Sequence, residues 1–148
     1  MIQLFLACML TVPHIDTSFK AYMDYRMITD ERSIQYRLQQ DAQTDENGLR
    51  RYRGRYMVAL GTYYGSVGDE LTVTLDTGES FDVIIGDTKA DSDTDRTNRY
   101  YPMSDGSGNV VEFIVDVDAL SDEARRMGDI SYVDGFGGNV VQVISNRE

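Results

Sequence analysis

Apolar and polar positions alternate most regularly between 55 and 85 and again from 110 onward. Runs of β-branched and aromatic residues over 55–60, 70–75, 81–85, 110–115, 130–133 and 139–144 are separated by glycine-bearing turns, the pattern of short strands. Asp76-Thr77-Gly78-Glu79, between the second and third runs, predicts a tight hairpin. One helix is predicted over 121–127: Ser121 supplies an N-cap, Asp122 and Glu123 complement the positive helix end, Arg125 and Arg126 the negative end, and Gly128 stops it. Six short strands with one helix predict a mainly β protein, closed into a small barrel that leaves no long sheet edge exposed.

The remaining stretches read differently. Residues 13–50 form a polar, mixed lead-in that ends at the turn-prone Asp45-Glu46-Asn47-Gly48. Within it, 22–28 has strand-like alternation, 33–38 has it less clearly, and a short helix over 30–40 competes with the latter. Residues 1–12 are apolar but too short to cross a bilayer. They read either as a targeting remnant, although no Lys or Arg precedes the apolar run, or as a buried N-terminal segment. The domain proper is then 51–148. Its exception is the polar stretch 87–108, a length that within a compact domain marks a functional or a disordered loop.

A near-repeat links two turns. Val67-Gly68-Asp69-Glu70-Leu71-Thr72-Val73 is echoed by Met127-Gly128-Asp129-Ile130-Ser131-Tyr132-Val133, each a Gly-Asp pair leading into residues with β preference. Glycine permits the turn conformation and the aspartate accepts the turn's own amides, so the echo predicts two related halves.

Charge narrows the partners. Fourteen basic against twenty-five acidic residues give a net charge of −11, which opposes direct binding to nucleic acid or to anionic lipid. A cationic protein remains a compatible partner, and Arg50-Arg51-Tyr52-Arg53-Gly54-Arg55, the single basic run, reads as an internal counter-charge or a partner contact. One cysteine, Cys8, excludes an intramolecular disulfide, and the single histidine, His14, has no metal-type spacing around it. Gly135-Phe136-Gly137-Gly138 precedes a strand rather than a helix, so it is a hairpin rather than a phosphate loop.

The order of motifs from 56 to 144 resembles the cradle-loop barrels, and within them the double-psi β-barrel of the three-aspartate domain. That domain occurs in membrane-bound lytic transglycosylase A and in secreted cell-wall proteins of Gram-positive bacteria. In that family three strands carry an aspartate each, and a helix and a final strand follow. Here Val58-Ala59-Leu60-Gly61 takes the first place, Val83-Ile84-Ile85-Gly86-Asp87-Thr88 the second and Val110-Val111-Glu112-Phe113-Ile114-Val115 the third. The first aspartate is replaced by Gly61, the second matches at Asp87, and the third is replaced by Glu112 or displaced to Asp116. The segments 22–26 and 112–116 are also similar to a group of bacterial and phage-borne proteins of the Firmicutes.

The resemblance implies a six-stranded double-psi barrel with one short helix and a polar N-terminal extension, located in the cell envelope or secreted, that binds or cleaves a peptidoglycan-like glycan. Asp87 would be the acid that protonates a glycosidic oxygen, with Glu112 as the neighbouring charge; the competing reading of Asp87 is a turn cap, like Asp69 and Asp129. A lytic transglycosylase needs one such group, because a sugar hydroxyl closes the ring. Tyr63, Tyr64, Tyr100, Tyr101 and Tyr132 lie near predicted strand ends, where they serve either as platforms for sugar rings or as barrel core. Asp91, Asp93 and Asp95 alternate as calcium ligands do, although Arg96 and Pro102 stand where a calcium loop needs glycine and glutamate. A solvated acidic loop without cofactor is the other reading. A different class of function, an acidic interaction protein such as a phage structural module or a nucleic-acid mimic that blocks a basic host protein, is consistent with the charge and the missing first aspartate.

Overall fold

The computed structural model describes residues 8–146. Its strands are β1 (Cys8–Leu10), β2 (Tyr22–Asp24), β3 (Gln43–Thr44), β4 (Arg50–Tyr52), β5 (Arg55–Leu60), β6 (Glu70–Leu75), β7 (Ser80–Thr88), β8 (Tyr101–Pro102), β9 (Gly108–Asn109), β10 (Glu112–Val115) and β11 (Val140–Ser145). Two α-helices, α1 (Ile34–Gln40) and α2 (Asp122–Met127), and several 3-10 turns connect them. The protein is mainly β. Among the described residues the strands pair in the order β1-β11-β6-β7-β5-β10-β2, with β3 and β4 extending from β5 and β8-β9 forming a separate pair.

That order is an open path, which departs from the expected closed six-stranded barrel. The reason lies in residues read as lying outside the domain. β1 pairs along the outer edge of β11, and β2 pairs in parallel along the outer edge of β10, Phe113 opposite Tyr22 and Val115 opposite Asp24. Each sheet edge is covered by a short N-terminal strand, so neither needs to meet the other. Of the stretch 1–12, residues 1–7 lie outside the described residues, while Cys8–Leu10 is strand β1, with Cys8 exposed.

The sheet alternates as a strand pattern requires. Val58, Leu60, Val83, Ile85, Phe113 and Val115 point into one core with the rings of Phe81 and Phe136, while Met57, Ile84 and Ile114 point into a second core. In the first, Phe136 meets the rings of Tyr56, Phe81 and Phe113 at 5.1 to 5.2 Å. In the second, Leu38 of α1 and Tyr25 pack over the sheet. The helical reading of 30–40 holds because the Ser33 hydroxyl accepts the Tyr36 N–H at 3.1 Å. α2 has its expected caps: Ser121 accepts the Ala124 N–H, and Gly128 is left-handed at φ 64°.

The two Gly-Asp copies have different fates. Gly68-Asp69 runs straight into β6, with the Asp69 carboxylate accepting the Ser66 N–H at 2.9 Å. Gly128-Asp129 ends α2 and opens a 3-10 turn, Ile130–Tyr132, where a strand was expected. Asp129 accepts the N–H groups of Ser131 and Lys20, and Ile130 donates to the Lys20 carbonyl, so the lead-in chain draws this copy out of the sheet.

Lys20 is itself fully buried, its ammonium donating to the Ser18 carbonyl at 2.9 Å and the Gly138 carbonyl at 2.6 Å. Burial lowers its pKa from 10.5 to about 8, and Asp129, Asp76 and Asp16 only partly offset this. Below pH 8 the folded chain carries a buried charge that the unfolded chain leaves in water. Between pH 8 and 10.5 the native amine has lost its proton while the unfolded one keeps it, so stability rises with pH. The rise is on the order of 3 kcal/mol if the full shift is realised. Burial raises the Tyr64 phenol, which acts in the opposite sense above pH 10. Urea midpoints should therefore climb from pH 7.5 to 10 in the wild type and stay flat in Lys20→Met; a flat wild-type profile contradicts this assignment.

Candidate acidic cleft

β5 sets the geometry of the site. Ala59 stands opposite Glu112 of β10 on one side and Asp87 of β7 on the other. At one interstrand spacing each, the two acids are roughly 10 Å apart at Cα. A register shift in the β5–β7 ladder falls between Val58 and Ala59, where Gly86 is the extra residue. Gly86 also lies so close to the second core that a Cβ there would meet Ile114 Cδ1 at 2.7 Å.

The two acids differ in what they face. Asp87 Oδ1, within the last residues of β7, accepts the Thr88 N–H at 2.9 Å and the side-chain amide of Gln35 on α1 at 3.5 Å. Glu112 instead lines a cleft of about 380 Å³ together with Lys89, Asp93, Tyr101 and Asn109, with Phe19 and Met103 as apolar walls. The displaced alternative for the third acid, Asp116, is held by Arg26 at 2.8 Å; Arg26 also bonds Asp24 and Asp118 and so ties β2 to β10.

Two cleft residues escaped the sequence reading. Lys89 continues the alternation of β7 past Asp87, so its i+2 spacing placed both on one face. Burial lowers its pKa, and the charges of Glu112 and Asp87 act in the opposite direction. Its ammonium makes no hydrogen bond or ion pair among the described residues. Asn109, 4 % exposed, accepts the Ala21 N–H with Oδ1 at 3.3 Å. No local signal marked Asn109, because its position depends on pairing between β9 and β8.

The other candidates are scattered. Tyr64 is buried and donates to the Thr11 carbonyl at 3.0 Å, a core role. Tyr63 is exposed but packs edge-on against Tyr64 and bonds Thr11, which lowers its phenol pKa. Tyr100 is partly buried against the first core, and Tyr132 is exposed beside a shallow groove of the 3-10 turn. Only Tyr101, 47 % exposed, reaches the cleft.

The acidic run divides likewise. Asp91 accepts the Thr62 hydroxyl at 2.6 Å, Asp93 lines the cleft, and Asp95 accepts the N–H groups of Thr97, Arg99 and Tyr100. Asp95 thereby orders the 87–108 segment from within. Among the described residues no group of three or more His, Cys, Asp or Glu side chains is placed to hold a metal ion.

Gly61, at the place of the resembled family's first aspartate, has ordinary backbone angles but no room: a Cβ there would lie 2.0 Å from the Asn98 carbonyl oxygen. The basic run serves internally, with Arg50 and Arg51 stacked over Tyr25 and Tyr56 at 4.0 and 3.9 Å and Arg55 paired with Glu70 at 3.2 Å. No helix of the described residues is long and apolar enough to cross a membrane. No protein-family model, curated protein or solved structure matches this chain.

Proposed function

We propose that this is a bacterial or phage-borne module of the cell envelope or secreted space that engages a peptidoglycan-like glycan in the Glu112 cleft. The observation that carries this reading is the meeting of a carboxylate, an ammonium that no described residue hydrogen-bonds and an exposed tyrosine ring in one groove. Sugar hydroxyls need donors and acceptors in that combination, and the apolar face of a sugar ring suits Tyr101. Kinship with the double-psi barrels is supported by one local arrangement: β7 lies between β5 and β6, parallel to the first and antiparallel to the second, the form of a single ψ motif. Under this reading Glu112, rather than Asp87, is the acid that protonates a glycosidic oxygen, because Glu112 faces the groove.

Purified sacculi test this. Wild-type protein should sediment with them and release anhydro-muropeptides detectable by mass spectrometry. Glu112→Gln should abolish release, and Asp87→Asn should retain it. Release that survives Glu112→Gln removes the acid from its role.

The net charge of −11 and the exclusion of an aspartate at Gly61 favour a second reading, a non-catalytic acidic partner of a basic host protein. In that case sacculi leave the protein in solution, and a basic nuclease is retained on it in a salt-sensitive manner.

A further inference from the structure

The cleft contains two hydrogen-bond donors that nothing in the described chain uses. Asn109 is all but buried, and the assignment of its amide is fixed, because the Ala21 N–H requires the oxygen as acceptor. Its NH2 group makes no hydrogen bond among the described residues, and because no buried side-chain nitrogen or oxygen there lacks a partner, this group is the part of Asn109 that reaches solvent, on the cleft lining. Lys89 adds an ammonium that is likewise without a hydrogen bond or ion pair. On the same lining stand the carboxylates of Glu112 and Asp93, and between the polar groups lie Phe19 and Met103.

These groups discriminate by charge. A simple anion would meet Lys89 but also two lining carboxylates, with Asp87 close enough to act on the same lysine. A simple cation would meet the carboxylates but also Lys89. A ligand carrying both charges satisfies both sets.

We propose that the cleft takes a small zwitterion, a free amino acid or a short peptide with both termini free. Its carboxylate accepts from Lys89 Nζ and Asn109 Nδ2, its ammonium donates to Glu112 and Asp93, and its side chain lies against Phe19 and Met103. This rests on the reading of the cleft as the ligand site and names the charge pattern that is recognised there. The glycan itself is not required.

The probe is alanylalanine, compared with its N-acetyl form and its C-terminal amide, each titrated into 15N-labelled full-length protein. The dipeptide is expected to shift the backbone amides at Lys89, Asn109 and Glu112 saturably, and each blocked form to bind at least tenfold more weakly. Asn109→Asp keeps the oxygen that holds the Ala21 N–H, replaces the donor with an acceptor and adds a negative charge, all of which oppose a carboxylate seated there, so it should weaken the dipeptide at least tenfold with the spectrum otherwise preserved. Should that variant fail to fold, Lys89→Met tests the same carboxylate seat and should show the same loss. Equal binding of all three probes, absence of shifts at these amides, or unaltered affinity in a folded Asn109→Asp or Lys89→Met overturns the proposal. Sacculi that still capture the wild type while the dipeptide leaves these amides unmoved overturn the zwitterion alone and leave the glycan reading intact.

Discussion

Replacing Gly61 with alanine is expected to lower the melting temperature by roughly 10 °C, the equivalent of about 3 kcal/mol in a domain of this size. The cause is steric. Gly61 has φ −63° and ψ 153°, angles open to any residue, so no conformational argument applies. The obstacle is the 87–108 segment, whose Asn98 carbonyl oxygen and carbon would lie 2.0 and 2.7 Å from the new Cβ. That carbonyl also accepts the Tyr63 N–H at 3.2 Å, so relief by withdrawal breaks the hydrogen bond that docks the segment on the 3-10 turn after β5. Gly61→Asp, which restores the aspartate of the resembled family, adds a charged group to the same clash and should be worse. Because Lys89, Asp93, Tyr101 and Asn109 all lie on this segment or at its margins, hydrogen exchange should show it opening first in both variants. Melting temperatures within a degree or two of wild type would contradict the close approach.

Arg50→Ala is expected to cost about 4 kcal/mol, combining loss of a buried side chain with loss of its hydrogen bonds. Arg50 is 7 % exposed and donates to Gln39 Oε1, Thr44 Oγ1 and the Gln39 carbonyl, each at 3.0 Å, while its guanidinium lies 4.0 Å from the centre of the Tyr25 ring. Burial lowers its pKa, with Tyr25, Asp116 and Asp24 partly offsetting this. The side chain therefore fastens α1, β3 and the turn after β2 to the end of β4 by hydrogen bonding and stacking rather than by a direct ion pair. Truncation leaves the Oε1 of Gln39, itself 4 % exposed, without its donor, although Nε2 still bonds Met57 Sδ. Arg50→Lys keeps the charge but lacks the planar fork that spans several acceptors, so it should fall between alanine and wild type in denaturant midpoint. A lysine variant as stable as wild type would show that charge alone suffices.

The central strands were legible because they are long enough to show alternation: 55–60 and 70–75 match β5 and β6 residue for residue, and the hairpin between β6 and β7 lies at Asp76-Thr77-Gly78-Glu79 as expected. α2 was legible through its caps. What could not be read was the pairing of strands three residues long or shorter. β1 and β2 have too few positions for a period, and they form because the edges of β11 and β10 are available, a fact of tertiary structure. The Gly-Asp echo misled for a related reason: local turn chemistry is shared by Asp69 and Asp129, but the chain after Asp129 is claimed by Lys20, far away in sequence. Near the cleft, the reading placed Glu112 and Asp87 at strand ends, whereas in the sheet β5 stands between their strands and Glu112, not Asp87, lines the cleft. The roles of Lys89 and Asn109 depend on which polar groups have already found partners, and a sequence does not state that.

The most direct test of a ligand site at the Glu112 cleft is to map where a soluble muropeptide touches the 15N-labelled protein. The account predicts saturable shifts confined to the amides of Lys89, Asp93, Tyr101, Asn109 and Glu112, and their loss in Glu112→Gln. Shifts centred on Arg26 and Tyr36, or on Tyr132 and Asp134, would place the site in another groove and contradict it.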